Sequence, residues 1–299
     1  MLNSFLKDKD MSTKHKVIFG NCMIMPELSD ESVHLVITSP PYFNAPFDYK
    51  GLFKSYDQYL GVIKKMAEES YRVLQSGRIF ALNIDDMLVD GTKYPITADA
   101  IKIFQGTGFR YRDKIVWKKP DGYLRISRRS AVLLKNPYPM YFYPDNLLES
   151  ILIFQKGVFD YKSISSAVRE KSKIDTKEFQ DNDWYKTIWE MTNVLPGSPL
   201  EKGVAAFPDE LAYRLIKLFS YVGETVLDPF LGSGTTSKIA CKYGRNSVGY
   251  EIIRDLESII AKKVCVDGGE DTIEFVERKD GKYKFVYVDY IKKNNEVSN

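Results

Sequence analysis

"TVLDPFLGSGTTSKIACKYG", residues 225–244, is the stretch that decides the fold. A short apolar run leads into Asp228-Pro229-Phe230, a loop carries Gly232, Ser233 and Gly234, and a helical stretch follows that stops at Gly244. Glycines at these positions let the backbone turn tightly and approach a ligand, because no Cβ stands in the way. A helix opening just beyond them leaves N–H groups unsatisfied in its first turn, and the hydroxyls of Thr235 and Thr236 add donors. "NSVGYEI" (246–252) reads as the next strand and puts Glu251 at its end, seventeen residues past Gly234. An acid there can accept hydrogen bonds from ribose hydroxyls, as in nucleotide-binding α/β folds. A bare Gly-x-Gly marks a tight turn in any α/β protein, so the weight rests on the whole strand–loop–helix–strand–Glu order. No lysine follows the second glycine, which argues against a nucleoside triphosphate site.

The rest of the chain keeps the same alternation. "KVIFG" (16–20), "SVHLVIT" (32–38), "RIFALNI" (78–84), "RDKIVWKK" (112–119) and "LLESILIFQK" (147–156) read as strands. Residues 56–74 and 94–108 have helical apolar spacing, and "PDELAYRLIKLFSYV" (208–222) has a capped helix start at Pro208-Asp209. This pattern predicts an α/β protein with a mostly parallel sheet. Residues 157–200 lose periodicity and gain charge and Trp/Tyr, with Trp184 and Trp189 reading as core residues of a small lobe. The end alternates around Asp280-Gly281, a hairpin signal over 272–291. The first sixteen residues read as a frayed, charged arm.

A second motif, "TSPPYF" (38–43), ends the strand 32–38 on a rigid elbow. Pro40 and Pro41 have fixed φ and no N–H, so they continue neither a ladder nor a helix. The elbow puts a hydroxyl, Ser39, on one side and an aromatic ring, Tyr42, on the other.

Composition narrows the classes. The 299 residues are 44% hydrophobic and 28% charged, which suits a soluble globular protein with a sizeable core. No apolar run approaches the roughly 20 residues that span a bilayer, and the first residues lack a signal-peptide core. Three scattered cysteines and two histidines make a four-ligand zinc site hard to assemble and argue against histidine-based catalysis. The cysteines read as reduced, in a cytoplasmic protein. Asp85-Asp86 after the 78–84 strand could be an acid–base or metal pair, but the chemistry argued below needs neither.

The pair "TSPPY" and "DPFLGSGTT" resembles the amino-methylating DNA methyltransferases, which use S-adenosylmethionine to methylate an exocyclic nitrogen of cytosine or adenine. The SPPY motif precedes the cofactor motif by about 190 residues, an order similar to the permuted subgroup called beta. "YRVLQSGRIFALNIDD" (71–86), "DKIVWKKP" (113–120) and "AAFPDELAYRLI" (205–216) extend the resemblance over most of residues 16–262. It implies a Rossmann-like S-adenosylmethionine-dependent methyltransferase sheet, mostly parallel with one antiparallel strand, and a small inserted target-recognition region. There are two departures: Gly20-Asn21 stands where the family commonly has Gly-Asp, and Gly203-Val204-Ala205 where it often has His-Pro-Ala.

The implied organisation is a catalytic half at 1–156, a target-recognition region at 157–200, a cofactor-binding half at 201–265 and a C-terminal hairpin and tail at 266–299. The implied cofactor contacts are Asn21, Asp228, Pro229, Phe230, Gly232, Ser233, Gly234, Thr235, Thr236 and Glu251. Ser39, Pro40, Pro41 and Tyr42 would form a clamp for a base rotated out of the duplex. Ser39 and the Pro40 carbonyl would accept the amino hydrogens while Tyr42 stacks. In the family Ser-Pro-Pro-Tyr goes mostly with cytosine N4 and Asp-Pro-Pro-Tyr mostly with adenine N6. The residues therefore favour N4-cytosine, with N6-adenine as the near alternative and an RNA or protein methyltransferase as a further one. A DNA-binding regulator on a decayed scaffold is the non-enzymatic alternative, and the intact motifs speak against it. The expected partner is double-stranded DNA with a short specific sequence. Arg125, Arg128, Arg129 and Lys135 of the basic, aromatic stretch 122–144 would meet its phosphates. A cognate restriction endonuclease fits the same reading, as does a monomer or weak homodimer.

Overall fold

The computed structural model describes residues 12–45, 51–120, 131–192, 206–264 and 271–278. In chain order the strands are β1 (Lys14–Phe19), β2 (Val33–Thr38), β3 (Leu74–Ile84), β4 (Met87–Val89), β5 (Thr92–Tyr94), β6 (Arg110–Lys118), β7 (Leu148–Gln155), β8 (Ile188–Glu190), β9 (Thr225–Asp228), β10 (Asn246–Glu251) and β11 (Thr272–Glu277). The helices are α1 (Tyr56–Val73), α2 (Ile96–Thr107), α3 (Ala131–Lys135), α4 (Ser166–Lys171), α5 (Thr176–Asp181), α6 (Asp209–Phe219), α7 (Thr235–Lys242) and α8 (Glu257–Lys263).

Nine strands form one sheet in the order β11-β1-β10-β9-β2-β3-β7-β6-β8. β7 pairs antiparallel with β3 and β6 while the other pairs are parallel, so one strand runs against the rest. The near-continuous apolar runs of β2, β3 and β7 follow from burial on both faces. Alternate residues then divide between two cores. Val36, Phe80, Leu82 and Phe154 pack under α1 and α2, whereas Leu35, Ile37, Ile79, Ala81 and Ile153 pack under α6 and α7. The helices start where their sequences say. Ser55 Oγ accepts from the Gln58 N–H at 3.1 Å to cap α1, and Asp209 and Glu210 sit in the first turn of α6, where the helix dipole favours acids.

Chain order reverses between β9 and β2. From β9 the chain runs outward through α7 to β10 on one side, while β2 continues through α1 to β3 on the other. Loops leaving the carboxyl ends of two such strands diverge and leave a crevice between them. Both sequence motifs sit at that crevice.

Several local expectations change. The expected arm ends sooner, since Lys14–Phe19 is already strand. β3 begins at Leu74, directly off the end of α1. The hairpin β4–β5 was not expected, although Asp90 and Gly91 both take positive φ (47° and 83°), as a tight turn of this kind requires. Nor was α8. Residues 157–200 contain α4, α5 and β8, and β8 adds to the edge of the main sheet beside β6. Trp184 and Trp189 are buried, but Trp189 packs in the core between the main sheet and α6 and not in a lobe of its own. Of the C-terminal hairpin, the first strand is β11, which pairs parallel with β1, and the Asp280-Gly281 turn lies outside the described residues. Asp86 accepts from the Thr97 N–H in the first turn of α2 and Asp85 accepts from Asn146, so the pair serves two separate structural contacts.

Gly77 in β3 has φ +84°, and a Cβ there would stand 2.5 Å from Phe159 Cα and 2.8 Å from the Val158 carbonyl oxygen. Left-handed strain costs roughly 1–2 kcal/mol and a backbone clash adds more. Gly77→Ala should therefore lower the unfolding free energy in urea by about 2–4 kcal/mol. A loss below about 1 kcal/mol would contradict this close approach.

Candidate active site

At the carboxyl end of β9 the carboxylate of Asp228, 1% exposed, organises the first loop. Thr38 Oγ1 donates to Asp228 Oδ1 at 2.8 Å from the neighbouring strand β2, and Thr236 Oγ1 donates to Oδ2 at 2.6 Å from α7. The Phe230 N–H completes the set, 3.1 Å from Oδ1 and 3.2 Å from Thr38 Oγ1. Burial still pushes the Asp228 carboxyl up to about 6, against the pull of these donors. Asp228 and Thr236 thus spend their polar groups inside the loop. Thr236, expected to donate to a bound anion, instead holds the helix to the loop.

The glycines do what their positions require. Gly232 (φ +56°) and Gly234 (φ +92°) carry the chain back on itself, and Gly234 caps α7. Behind them Gly249 of β10 leaves room for Leu231, since a Cβ there would come within 2.6 Å of its side chain. Ser233 Oγ accepts from Lys263 Nζ at 2.7 Å, so α8 also braces the loop.

Glu251, at the end of β10, turns its carboxylate toward the same loop. Oε2 accepts from the Gly232 N–H and Oε1 from the N–H groups of Ile252 and Ile253, each at 2.8 Å. A carboxylate has about four acceptor positions, so these three bonds leave one at Oε2 for a ligand hydroxyl. Burial raises this carboxyl to about 7, again against its backbone donors. Asn21 follows β1, and its Oδ1 accepts from the Met23 N–H at 3.1 Å, so a ligand contact would be through Nδ2. Between the loops lies a small cleft lined by Ser39, Ala206, Phe207, Phe230, Leu231, Gly232, Ser233 and Thr235. It joins the end of the glycine loop to the hydroxyl of the SPPY elbow.

The elbow rests on a polar network absent from the sequence reading. Asn83 Nδ2, at the end of β3, donates to Ser39 Oγ at 3.3 Å and to Glu149 Oε2 at 2.7 Å. Tyr42 OH donates to the same Glu149 oxygen at 2.6 Å, and Lys119 Nζ lies 2.5 Å from Glu149 Oε1. Lys119 and Glu149 are both buried, and Lys119 also sits 5.3 Å from the Trp117 ring. β3, β6 and β7 bring these groups to one sheet edge, where Trp117 pairs with Glu149 and Asn83 with Ile151. Burial, together with the Glu149 charge, holds the Tyr42 phenol well above its usual range, so Tyr42 keeps its proton. Past the elbow, Phe43 is buried against Tyr56, Tyr59 and Tyr94, and Asn44 exchanges two hydrogen bonds with the backbone of Phe53. The signal for this support lay in the strands themselves: an Asn in "ALNI", a Glu in "LESILI" and a Lys in "WKKP" interrupt apolar runs.

Lys135 is exposed on α3, followed by a surface in which Tyr138, Met140 and Phe142 are also exposed. Arg125, Arg128 and Arg129 lie outside the described residues. Among the described residues no cluster of three or more His, Cys, Asp or Glu could hold a metal ion, and no helix is long and apolar enough to cross a membrane.

Comparison with known proteins agrees with this geometry. Residues 33–262 match the N6/N4 DNA methylase family. The chain is 35% identical to the type II methyltransferase M.MjaI of Methanocaldococcus jannaschii, over 90% of this chain and 98% of that one. It is 32% identical to the type II methyltransferase M.MthZI of Methanothermobacter thermautotrophicus, over 91% and 85%. TTHA0409 of Thermus thermophilus, described as a DNA modification methylase, superposes with a TM-score of 0.70 at 27% identity, over 88% of this chain and 100% of that one. The same protein has been solved with S-adenosyl-L-methionine, and that structure superposes at 0.68. The acceptor position left on Glu251 suits a ribose hydroxyl of this cofactor, and the cleft beside the glycine loop lies between that end and Ser39. The chain belongs to the N6/N4 DNA methylase family as a beta-class, S-adenosylmethionine-dependent DNA amino-methyltransferase.

Proposed function

We propose that this enzyme methylates the exocyclic N4 of a cytosine flipped out of double-stranded DNA at a short specific sequence, as the modifying member of a restriction–modification pair. The observation that carries the reading is Ser39, a neutral hydroxyl held by Asn83 at the cofactor cleft. The type II relatives M.MjaI and M.MthZI support the restriction–modification setting. A cytosine amino group is a poor nucleophile because its lone pair is delocalised into the ring. Rate then comes from drawing that nitrogen toward tetrahedral geometry and holding it in line with the donor. Bound S-adenosylmethionine supplies the electrophilic methyl group. Ser39 Oγ and the Pro40 carbonyl accept hydrogen bonds from the two amino hydrogens, while the prolines fix the carbonyl direction. One of these hydrogens leaves to solvent as a proton once the nitrogen carries the methyl group. Tyr42 stacks on the base, and its hydroxyl bond to Glu149 sets the tilt of the ring. Asn21 and Glu251 hold the adenosine end, with the glycine loop between.

Lys135, with Arg125, Arg128 and Arg129, neutralises phosphates, and the exposed Tyr138, Met140 and Phe142 face the opened duplex. Residues 157–200 read the target sequence. A monomer suits methylation of one strand at a time.

Unmethylated DNA incubated with enzyme and S-adenosylmethionine, then digested to nucleosides, should contain N4-methylcytosine by mass spectrometry. Ser39→Ala should slow transfer by about 100-fold or more, and Tyr42→Ala by roughly 10–100-fold. Both should keep cofactor affinity within about threefold. N6-methyladenine in the digest would overturn the choice of base and leave the clamp standing.

Glu251 gives a pH signature. Its folded value of about 7 lies above the unfolded carboxylate range, so the ligand-free protein gains stability as pH falls from about 7 toward that range. A ribose hydroxyl donates best to the ionised form. Affinity for S-adenosylmethionine should therefore fall by up to about tenfold per pH unit below 7. Calorimetry at pH 6 in buffers of different protonation heat should show proton release on binding. Equal affinity at pH 6 and pH 8 would contradict this role.

A further inference from the structure

The C-terminal strand carries a residue that reaches the cofactor end of the site from outside the matched family region. Arg278 directly follows β11, and its backbone N–H donates to the Phe19 carbonyl at 3.1 Å. Its side chain, 9% exposed, crosses beside Gly20, where a Cβ would stand 3.2 Å from Arg278 Cβ and 3.3 Å from its Cδ and Nε. Only a residue as small as glycine gives it that path without displacement. The guanidinium then spreads over the loop that follows β1. Nε donates to Glu27 Oε1 at 2.9 Å and Nη2 to Glu27 Oε2 at 2.6 Å, a forked pair. Nη1 donates to the Asn21 carbonyl at 3.0 Å and Nη2 to the Ile24 carbonyl at 2.9 Å.

Glu27 links this clamp to the other side of the site. Its Oε2 also accepts from Tyr250 OH at 2.9 Å, and Tyr250 is the residue before Glu251. Burial would raise the Glu27 carboxyl, but the bonds from Arg278 and Tyr250 outweigh it and hold the group below its usual value. The Gly20 N–H closes the circuit by donating to the Glu251 carbonyl at 2.9 Å. One guanidinium therefore fixes the loop bearing Asn21 against the strand bearing Glu251.

We propose that Arg278 is a positioning residue for S-adenosylmethionine: by clamping residues 20–27 onto β10 it sets the spacing of Asn21 and Glu251, and β11 thereby completes the cofactor site. The proposal rests on the reading of Asn21 and Glu251 as adenosine contacts. Residues 12–28 and 271–278 lie outside the family match at 33–262 while Tyr250 and Glu251 lie inside it, so the clamp ties flanking segments to the matched region. Arginine suits the task because its planar fork meets a carboxylate and two carbonyls at once, which a lysine cannot.

The test is calorimetric titration of S-adenosylmethionine into the full chain and its variants, with thermal melts and methyl-transfer kinetics alongside. Arg278→Ala should weaken cofactor binding by about tenfold or more, with Arg278→Lys and Glu27→Gln between it and the unaltered protein. The loss should appear in KM for the cofactor, with kcat at saturating cofactor and DNA affinity both within about twofold. Cofactor affinity within about twofold for Arg278→Ala, alongside a lowered Tm, would overturn the proposal and leave Arg278 as a staple of the edge strand. If Arg278→Ala does not fold, Arg278→Lys and Glu27→Gln decide by the same criterion. Asn21→Ala and Glu251→Gln separate the two levels. If neither weakens binding, the adenosine reading falls and takes the proposal with it; if both do and the Arg278 variants do not, the clamp alone is wrong.

Discussion

Everything at this site depends on one buried contact, the hydrogen bond from Thr38 to Asp228 between the adjacent strands β2 and β9. The loops on either side carry different halves of the chemistry and are separated by about 190 residues of chain. Thr38 is immediately followed by Ser39, and Asp228 immediately precedes the Pro-Phe that opens the glycine loop. Because Asp228 is sealed from water and also held by Thr236, neither loop can shift alone without leaving a buried carboxylate short of donors. Such a vacancy costs roughly 1–3 kcal/mol. The topology supplies the proximity, and this contact supplies the register.

Around that centre the site is built from buried charge rather than from flexible surface groups. The Lys119–Glu149 pair beneath the SPPY elbow adds little net stability, since desolvation offsets much of its attraction. What it adds is geometry. Glu149 takes Tyr42 OH and Asn83 Nδ2 on one oxygen and Lys119 on the other, so the aromatic ring and the serine share a single reference point. The Arg278–Glu27 pair gives the loop of Asn21 a comparable anchor. Both pairs stand at the carboxyl edge of the sheet, and both hold polar neighbours there in a fixed position.

The parts legible in the sequence were those whose chemistry is local. Two prolines after a strand, two glycines before a helix and an acid at the end of the next strand each impose their geometry over a few residues. The order of the motifs and the apolar runs then fix an α/β sheet, and the single reversed strand came with the family resemblance. The supports were not legible because their partners are distant: Asn83 and Glu149 stand 66 positions apart, Tyr42 and Glu149 107, and Arg278 and Glu27 251. A buried polar residue announces itself in an apolar strand, but its partner is set by the register of a sheet that the sequence does not print. Thr236 shows the same limit, because its hydroxyl looks available until Asp228 is seen beside it. The hairpin at 87–94 carries a turn signal at Asp90-Gly91, but its strands are three residues each, too short to show an alternation.

The most direct test of the account is the single-turnover rate of methyl transfer by Thr38→Val, at saturating S-adenosylmethionine and DNA. Valine keeps the shape and removes the hydroxyl that ties the two loops together. The account predicts a rate at least about tenfold lower, with both binding affinities within about threefold, because each half remains formed and only their alignment is lost. A rate equal to that of the unaltered enzyme would show that the loops are aligned by something else.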